Sequence, residues 1–259
     1  MAKNIDYFIK KYLENRPMFF ALIRSQEAYL FQKYQKFIKE KILDFGCGDG
    51  FFAKTVFGKN KIDVGLDLVS SRVKEAKKEK IYKKITLYND LKIPYKNNFF
   101  QTVISNCVLE HLTNLKDSLK EIRRVLKPGG YFLTTVMTDK WSHYLLGKKV
   151  LGKTYINFMN KKQEHFNLFT KKQWQKIFEK IGFKVIIAEE YLNKKQARLI
   201  EISHYLAIPS LLSYLAMKKW IIFSSWYRPF FLDKFFSRVL KEKVEDDNGA
   251  AIFFVLRKN

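Results

Sequence analysis

The stretch Ile42-Leu43-Asp44-Phe45-Gly46-Cys47-Gly48-Asp49-Gly50-Phe51-Phe52-Ala53 decides the fold. An apolar strand runs into a glycine-rich turn and leaves it as a helix. Glycines let a backbone pass close to a nucleotide-like ligand, and a helix N-terminus offers N–H donors that no helical carbonyl takes. A glycine-rich turn alone is a tight turn, or the G-x-G-x-x-G of a dinucleotide site. Here the spacing is G-x-G-x-G, and Asp44 stands in the strand before it. That carboxylate repels a diphosphate and attracts a cationic amino-acid tail.

Outward from this turn, short β-rich runs alternate with helical runs between Lys41 and Tyr191. Strands are predicted over 41–45, 62–66, 85–88, 101–105, 131–136 and 183–187, with a last one over 250–256. Helices are predicted over 50–57, 70–80, 115–126 and 170–181, with Ser70, Asn114 and Thr170 as N-caps. Lys127-Pro128-Gly129-Gly130 stops one helix and turns the chain into the next strand. Such alternation implies a parallel sheet covered by helices on both faces. Residues 1–40 read as one or two helices capping a domain formed by 41–193 and 249–259. Residues 138–164 and 194–248 stand outside the alternation.

Four further stretches carry polar residues where strands end. Val64-Gly65-Leu66-Asp67 places an acid at about the 20-residue spacing of a ribose-binding carboxylate. Tyr88-Asn89-Asp90-Leu91 offers an acid for an adenine amino group. Ile104-Ser105-Asn106-Cys107-Val108-Leu109-Glu110-His111-Leu112 and Val125-Leu126-Lys127-Pro128-Gly129-Gly130-Tyr131-Phe132-Leu133 complete the set. As an ordered series over roughly 34–191 they resemble the class I S-adenosylmethionine-dependent methyltransferases, most closely the type 11 group.

The resemblance implies a Rossmann-like α/β fold whose mostly parallel seven-stranded sheet has an antiparallel last strand. It implies S-adenosyl-L-methionine as cofactor. Asp44, Gly46, Cys47 and Gly48 would hold its methionine end, and Asp67 with Leu68 its ribose. Asp90 and Leu91 would bracket the adenine, and Asn106 and Cys107 would lie under the sulfonium. His111 and His165 are the candidate bases, against a structural reading in which each fixes its loop. His143 and Tyr155 lie in the variable stretch, and Arg24 and Glu27 read as part of a surface helix pair near a cofactor lid. The sulfonium is already an activated donor, so positioning supplies much of the rate. The four histidines and two cysteines show no metal-ligand spacing.

Composition bounds the rest. With 47% hydrophobic and 16% aromatic residues the chain can bury a core. Two cysteines make no disulfide framework and fit a reducing cytoplasm. The first fourteen residues mix charged with apolar positions and lack a signal peptide's apolar core. The net charge of +24 attracts polyanions, although lysines scattered through every segment are also a matter of proteome composition. The 194–248 insertion departs from the minimal fold. Its end, with Phe231, Leu232, Phe235, Phe236, Val239 and Leu240 at helical spacing, reads as an amphipathic helix. Trp220, Trp226, Tyr227, Lys218, Lys219 and Arg228 precede it, a mixture suited to an anionic membrane surface on the cytoplasmic side. A pocket lid and a dimer contact are the alternatives. The expected acceptor is small or lipid-linked. An RNA methyltransferase is the rival on charge, without a recognisable RNA-binding module, and a non-catalytic partner subunit is the other.

Overall fold

A computed structural model describes residues 3–58, 62–68, 72–89, 92–221 and 232–259. Seven strands form one sheet: β1 (Ile42–Phe45), β2 (Ile62–Leu68), β3 (Tyr82–Tyr88), β4 (Phe100–Asn106), β5 (Leu126–Met137), β6 (Phe183–Tyr191) and β7 (Ala251–Lys258). Their order is β3-β2-β1-β4-β5-β7-β6, and β7 runs antiparallel to both its neighbours. Side chains alternate across a strand, and the last strand shows the result. Ile252, Phe254 and Leu256 enter one core, while Phe253 and Val255 enter the other.

The first of those cores is closed by α5 (Leu115–Val125) and α8 (Lys171–Ile181), through Leu119, Ile122, Trp174 and Phe178. Thr170 caps α8 in a reciprocal box with Gln173. Asn114 precedes α5 without a side-chain cap bond, and Ser70 lies outside the described residues. Leu126 pairs with Phe100 and Tyr131 with Thr102, so the Lys127–Gly130 turn bulges out and β5 begins five residues earlier than its regular pairing.

On the other face lie α1 (Ile5–Asn15), α2 (Met18–Lys33), α3 (Phe51–Phe57), α9 (Lys194–Tyr205) and α11 (Leu232–Leu240), with α4 (Val73–Glu79) at its edge. Phe31 of α2 meets Phe253 edge to face at 5.0 Å. The surface-pair reading of α2 is overturned: Ser25, Glu27, Ala28 and Phe31 are 0% exposed. The residues after β5 form α6 (Asp139–Tyr144) and α7 (Lys148–Lys162), and α10 (Ile208–Met217) follows α9.

The amphipathic helix expected at the end of the insertion is present as α11, and its apolar stripe packs inward. Its Phe236, Val239 and Leu240 are buried, with Phe236 and Leu240 in the same core as residues of α1, and among the described residues of the expected face only Phe235 stands exposed. Protein, not solvent, meets that stripe. Trp226, Tyr227, Arg228 and Phe231 lie outside the described residues.

Candidate active site

Strand order reverses between β1 and β4, and open α/β sheets bind ligands beyond the strand ends at such a reversal. The turn 46–50, the end of β2 and the turn after β4 converge there. Gly46 has φ +78°, and a Cβ on it would stand 2.4 Å from Val108 Cγ2, so the two turns close together only on glycine. Gly48, at φ +54°, has nothing within 4 Å of its absent Cβ. Its bare backbone lines a cavity of about 410 Å³ together with Asp44, Gly46, Cys47, Asp49, Asn106 and Cys107.

The acids in and beside this cavity are held firmly. Asp67 accepts the Gly48 N–H at 2.6 Å and the Leu68 N–H at 2.7 Å. Asp44 is 6% exposed and accepts the Tyr82 hydroxyl at 2.6 Å. Burial pushes its carboxyl up to about 7; the Tyr82 bond opposes this and the charge of Asp67 adds to it. Arg16, from the end of α1, pairs with Asp49 at 2.9 Å and lies over the Phe51 ring, fastening the N-terminal helices to the turn. Asp90 and Leu91 lie outside the described residues.

A second cavity of about 270 Å³ adjoins the first. Phe19, Phe20 and Ile23 of α2 line it, with Met137 at the end of β5, Trp141 and Leu145 after it, Met159 of α7, and Ile200, His204 and Tyr205 of α9. Phe20, Arg24 and Cys107 line both cavities, so the wall between them is three side chains.

Behind that wall lies Glu27. Its carboxylate accepts from Arg24 at 2.7 Å, Asn106 Nδ2 at 2.8 Å, and Cys107 Sγ and the Tyr191 hydroxyl at 3.1 Å each. Thr135 Oγ1 donates to Asn106 Oδ1 and accepts the Cys107 N–H, both at 2.9 Å. This network holds Cys107 at φ +49°, a conformation rare outside glycine. Burial raises the Cys107 thiol, which stays protonated.

At the polar end of the second cavity are Glu110, His111 and His165. Glu110 is 0% exposed, and neither carboxylate oxygen has a hydrogen-bond partner among the described residues. Burial pushes it up to about 7. Its backbone carbonyl accepts from Phe166 and Asn167, and Asn167 Nδ2 donates to the carbonyls of Leu109 and Leu112. The turn after β4 and the loop before α8 are therefore locked together. The His111 and His165 rings stand 5.0 Å apart. His111 Nδ1 lies 3.1 Å from the Glu164 carbonyl, whereas His165 Nδ1 is buried without a partner among the described residues. Burial lowers both, His165 to about 4 with the help of His111, so both rings are neutral at pH 7.

The structure thus brings Asp44, Gly46, Cys47, Gly48, Asn106 and Cys107 to one cavity, with Asp67 and Leu68 beside it, and the two histidines to the other. Tyr155 and His143 line neither. The Tyr155 hydroxyl donates to Glu201 at 2.5 Å, tying α7 to α9, and His143 is exposed. Sequence reasoning gave Glu110 and Phe20 no role in the site, and it read Arg24 and Glu27 as part of a surface helix pair near a cofactor lid. Glu27 carried a signal, as the lone acid of a largely apolar helix. A wider hollow of about 830 Å³, between α1, β6 and α11, touches none of these turns.

A methyltransferase domain family matches residues 5–188. An uncharacterized protein of Methanocaldococcus jannaschii is 32% identical over 167 residues, which is 64% of this chain and 64% of that protein. The mitochondrial ubiquinone biosynthesis O-methyltransferase of Rattus norvegicus is 33% identical over 119 residues, 41% of this chain and 33% of its own length. The chain thus spans less than two thirds of these relatives. Phosphoethanolamine N-methyltransferase 2 of Haemonchus contortus, solved with S-adenosyl-L-methionine, superposes with a TM-score of 0.59 at 20% identity, covering 98% of this chain and 56% of that one.

Proposed function

The chain belongs to the methyltransferase domain family, and on that premise we propose that it moves the methyl group of S-adenosyl-L-methionine to a small or lipid-linked acceptor bearing an ionisable O–H or N–H. The observation that carries this reading is the wall of Phe20, Arg24 and Cys107 shared by a polar cavity and an apolar one. Methyl transfer needs donor and acceptor in line and in contact, and two cavities that share Phe20, Arg24 and Cys107 in their linings adjoin where that contact would be made.

The first cavity suits this cofactor chemically. Asp44, buried and short of a cationic partner, matches an ammonium or sulfonium charge, and Arg16 and Arg72 match a carboxylate. The bare backbone at Gly48 leaves room that any side chain would fill. Asp67 and Leu68 would serve the ribose, Asp90 and Leu91 the adenine, and Asn106 and Cys107 the reacting end. When bound, S-adenosyl-L-methionine supplies a methyl group already activated by positive sulfur. The protein's own residues position the acceptor and take its proton. Glu110 would be the base: it lines the second cavity beside His111 and His165, and burial holds its carboxyl near neutrality, where it can take up a proton. The neutral rings of His111 and His165 orient the polar head of the acceptor. The relative named for ubiquinone biosynthesis is an O-methyltransferase, in keeping with an O–H acceptor.

Incubation with methyl-labelled cofactor and separated lipid, small-metabolite, RNA and protein fractions tests the assignment. Label is expected in the lipid or small-metabolite fraction. Label in RNA would overturn the acceptor class, and failure to bind S-adenosylhomocysteine would overturn the activity.

A further inference from the structure

The helices beyond β5 leave an apolar face that no described residue covers. On α10 and the turn before it, Leu206, Ile208, Leu211, Leu212, Leu215 and Met217 are 47% to 62% exposed. On α7, which is broken at Gly152 (φ +56°), Val150 and Leu151 before the break and Phe158 after it are 84%, 60% and 59% exposed. The hydroxyls of Tyr155 on α7 and Tyr205 on α9 stand 2.7 Å apart, and Leu206 directly follows Tyr205, so the start of the α10 set lies near α7. The other side of α10 is anchored: Tyr214 stacks on Trp220 at 4.2 Å and its hydroxyl donates to Glu75 at 2.8 Å.

Charge says what meets this face. Helix α7 carries Lys148, Lys149, Lys153, Lys161 and Lys162 and no acid. Helix α10 is uncharged and ends on Lys218 and Lys219, both exposed. Apolar side chains edged by amines suit the acyl boundary and phosphates of an anionic bilayer. We propose that α7 and α10 dock the protein on an anionic bilayer surface, with the mouth of the second cavity at the membrane. Met159 of α7 and His204 and Tyr205 of α9 wall that cavity, and Tyr205, 49% exposed, belongs to both surfaces. Taking the acceptor from the bilayer rests on the methyl-transfer reading; the docking itself does not.

The helices lie on the membrane and do not cross it. Helices α9 and α10, bent 49° from each other, together have the length and composition of a broken span, and no single described helix has. Yet Gln196, Ala197 and Ile200 of α9 are 0%, 0% and 4% exposed, packed within the protein.

The test is co-sedimentation with phosphatidylcholine vesicles made with and without phosphatidylglycerol. The full chain should sediment with the anionic vesicles, not the neutral ones, and less as salt rises. Leu212→Glu with Leu215→Glu should abolish sedimentation while circular dichroism and affinity for S-adenosylhomocysteine stay at wild-type values. Lys218→Gln with Lys219→Gln should weaken it about thirtyfold, at about fivefold per amine. Absence of wild-type sedimentation, or its persistence in the leucine variant, would overturn the proposal. So would a wild-type dimer in ultracentrifugation that the leucine variant turns into a monomer. Vesicle binding without S-adenosylhomocysteine binding would leave the docking standing and sink the methyl-transfer reading.

Discussion

The two cavities that meet at Cys107 are built in opposite ways. The first is built around the turns at the ends of neighbouring strands, Asp44 to Asp49 and Asn106 to Val108, with Tyr12, Arg16, Phe20 and Arg24 of the N-terminal segment closing it. The second is made by helix faces from α2, α6, α7 and α9, spread from Phe19 to Tyr205. Each holds a buried carboxyl that burial pushes up to about 7, Asp44 in the first and Glu110 in the second, where Glu201 is also buried and accepts the Tyr155 hydroxyl. The chemistry required of the two differs. Asp44 is satisfied by a permanent cation, whereas Glu110 has a task only if it takes up and releases a proton.

Glu110→Gln tests that difference hardest. It keeps the shape of the side chain and removes the base, so turnover should fall by ~10²–10⁴-fold. Affinity for S-adenosylhomocysteine, measured by calorimetry, should not change, because Glu110 does not line the first cavity. Equal losses of turnover and affinity would mean the two compartments are not separate. On the cofactor side, Asp67→Ala should weaken S-adenosylhomocysteine binding by ~1–3 kcal/mol, the worth of charged hydrogen bonds to hydroxyls. Unchanged affinity would place the ribose elsewhere.

The contrast also governs what could be read from the chain. Asp44, Gly46, Gly48 and Asp67 were legible because strand, turn and helix signals are local, and the spacing of the two acids follows from one β-α-β unit. Glu27 was misread as surface because helical periodicity tells which residues share a face, not what that face meets. Its partners, Asn106 and Cys107, are 79 and 80 residues away. The amphipathic pattern of α11 is real, yet Phe236 and Leu240 join the core shared with α1 and not a membrane. The exposed apolar face belongs to α10 instead, where the periodicity is weaker. His111 drew notice over its neighbour Glu110 because histidine titrates near neutrality in water; burial reverses that order, lowering His111 and raising Glu110.

A smaller effect separates the carboxyls by pH. Asp44 must be ionised to meet a cation, so affinity for S-adenosylhomocysteine should rise about tenfold per unit as pH climbs toward 7 and then level, with a proton released on binding. Stability of the unliganded protein should move the other way. Both carboxyls titrate higher in the fold than in the unfolded chain, so the fold gains from their protonation below the ordinary carboxylate range. That gain is lost as pH rises through about 7. Saturating cofactor should lessen the loss by supplying Asp44 with its cation. Thermal unfolding at a series of pH values, with and without ligand, reads both. A pH-independent affinity would show that Asp44 is ionised before the ligand arrives.

The smallest expected effect is at His165. Burial lowers it to about 4, so at neutral pH it is already unprotonated and too weak a base to compete with Glu110. His165→Gln should therefore leave turnover within a few-fold of wild type and raise KM for the acceptor more than it lowers kcat. Its signature lies in stability. A histidine whose charged form is disfavoured in the fold destabilises it as pH falls from the imidazole's ordinary 6.5 toward about 4. Glutamine cannot be charged, so the variant should lose less stability over that window, read by chemical unfolding at matched pH. The acid limb should flatten while the pH profile of kcat, set by Glu110, keeps its midpoint. If that midpoint shifts in the variant, the proton passes through His165, and the apolar cavity contains a relay of two groups where the contrast drawn here needs one.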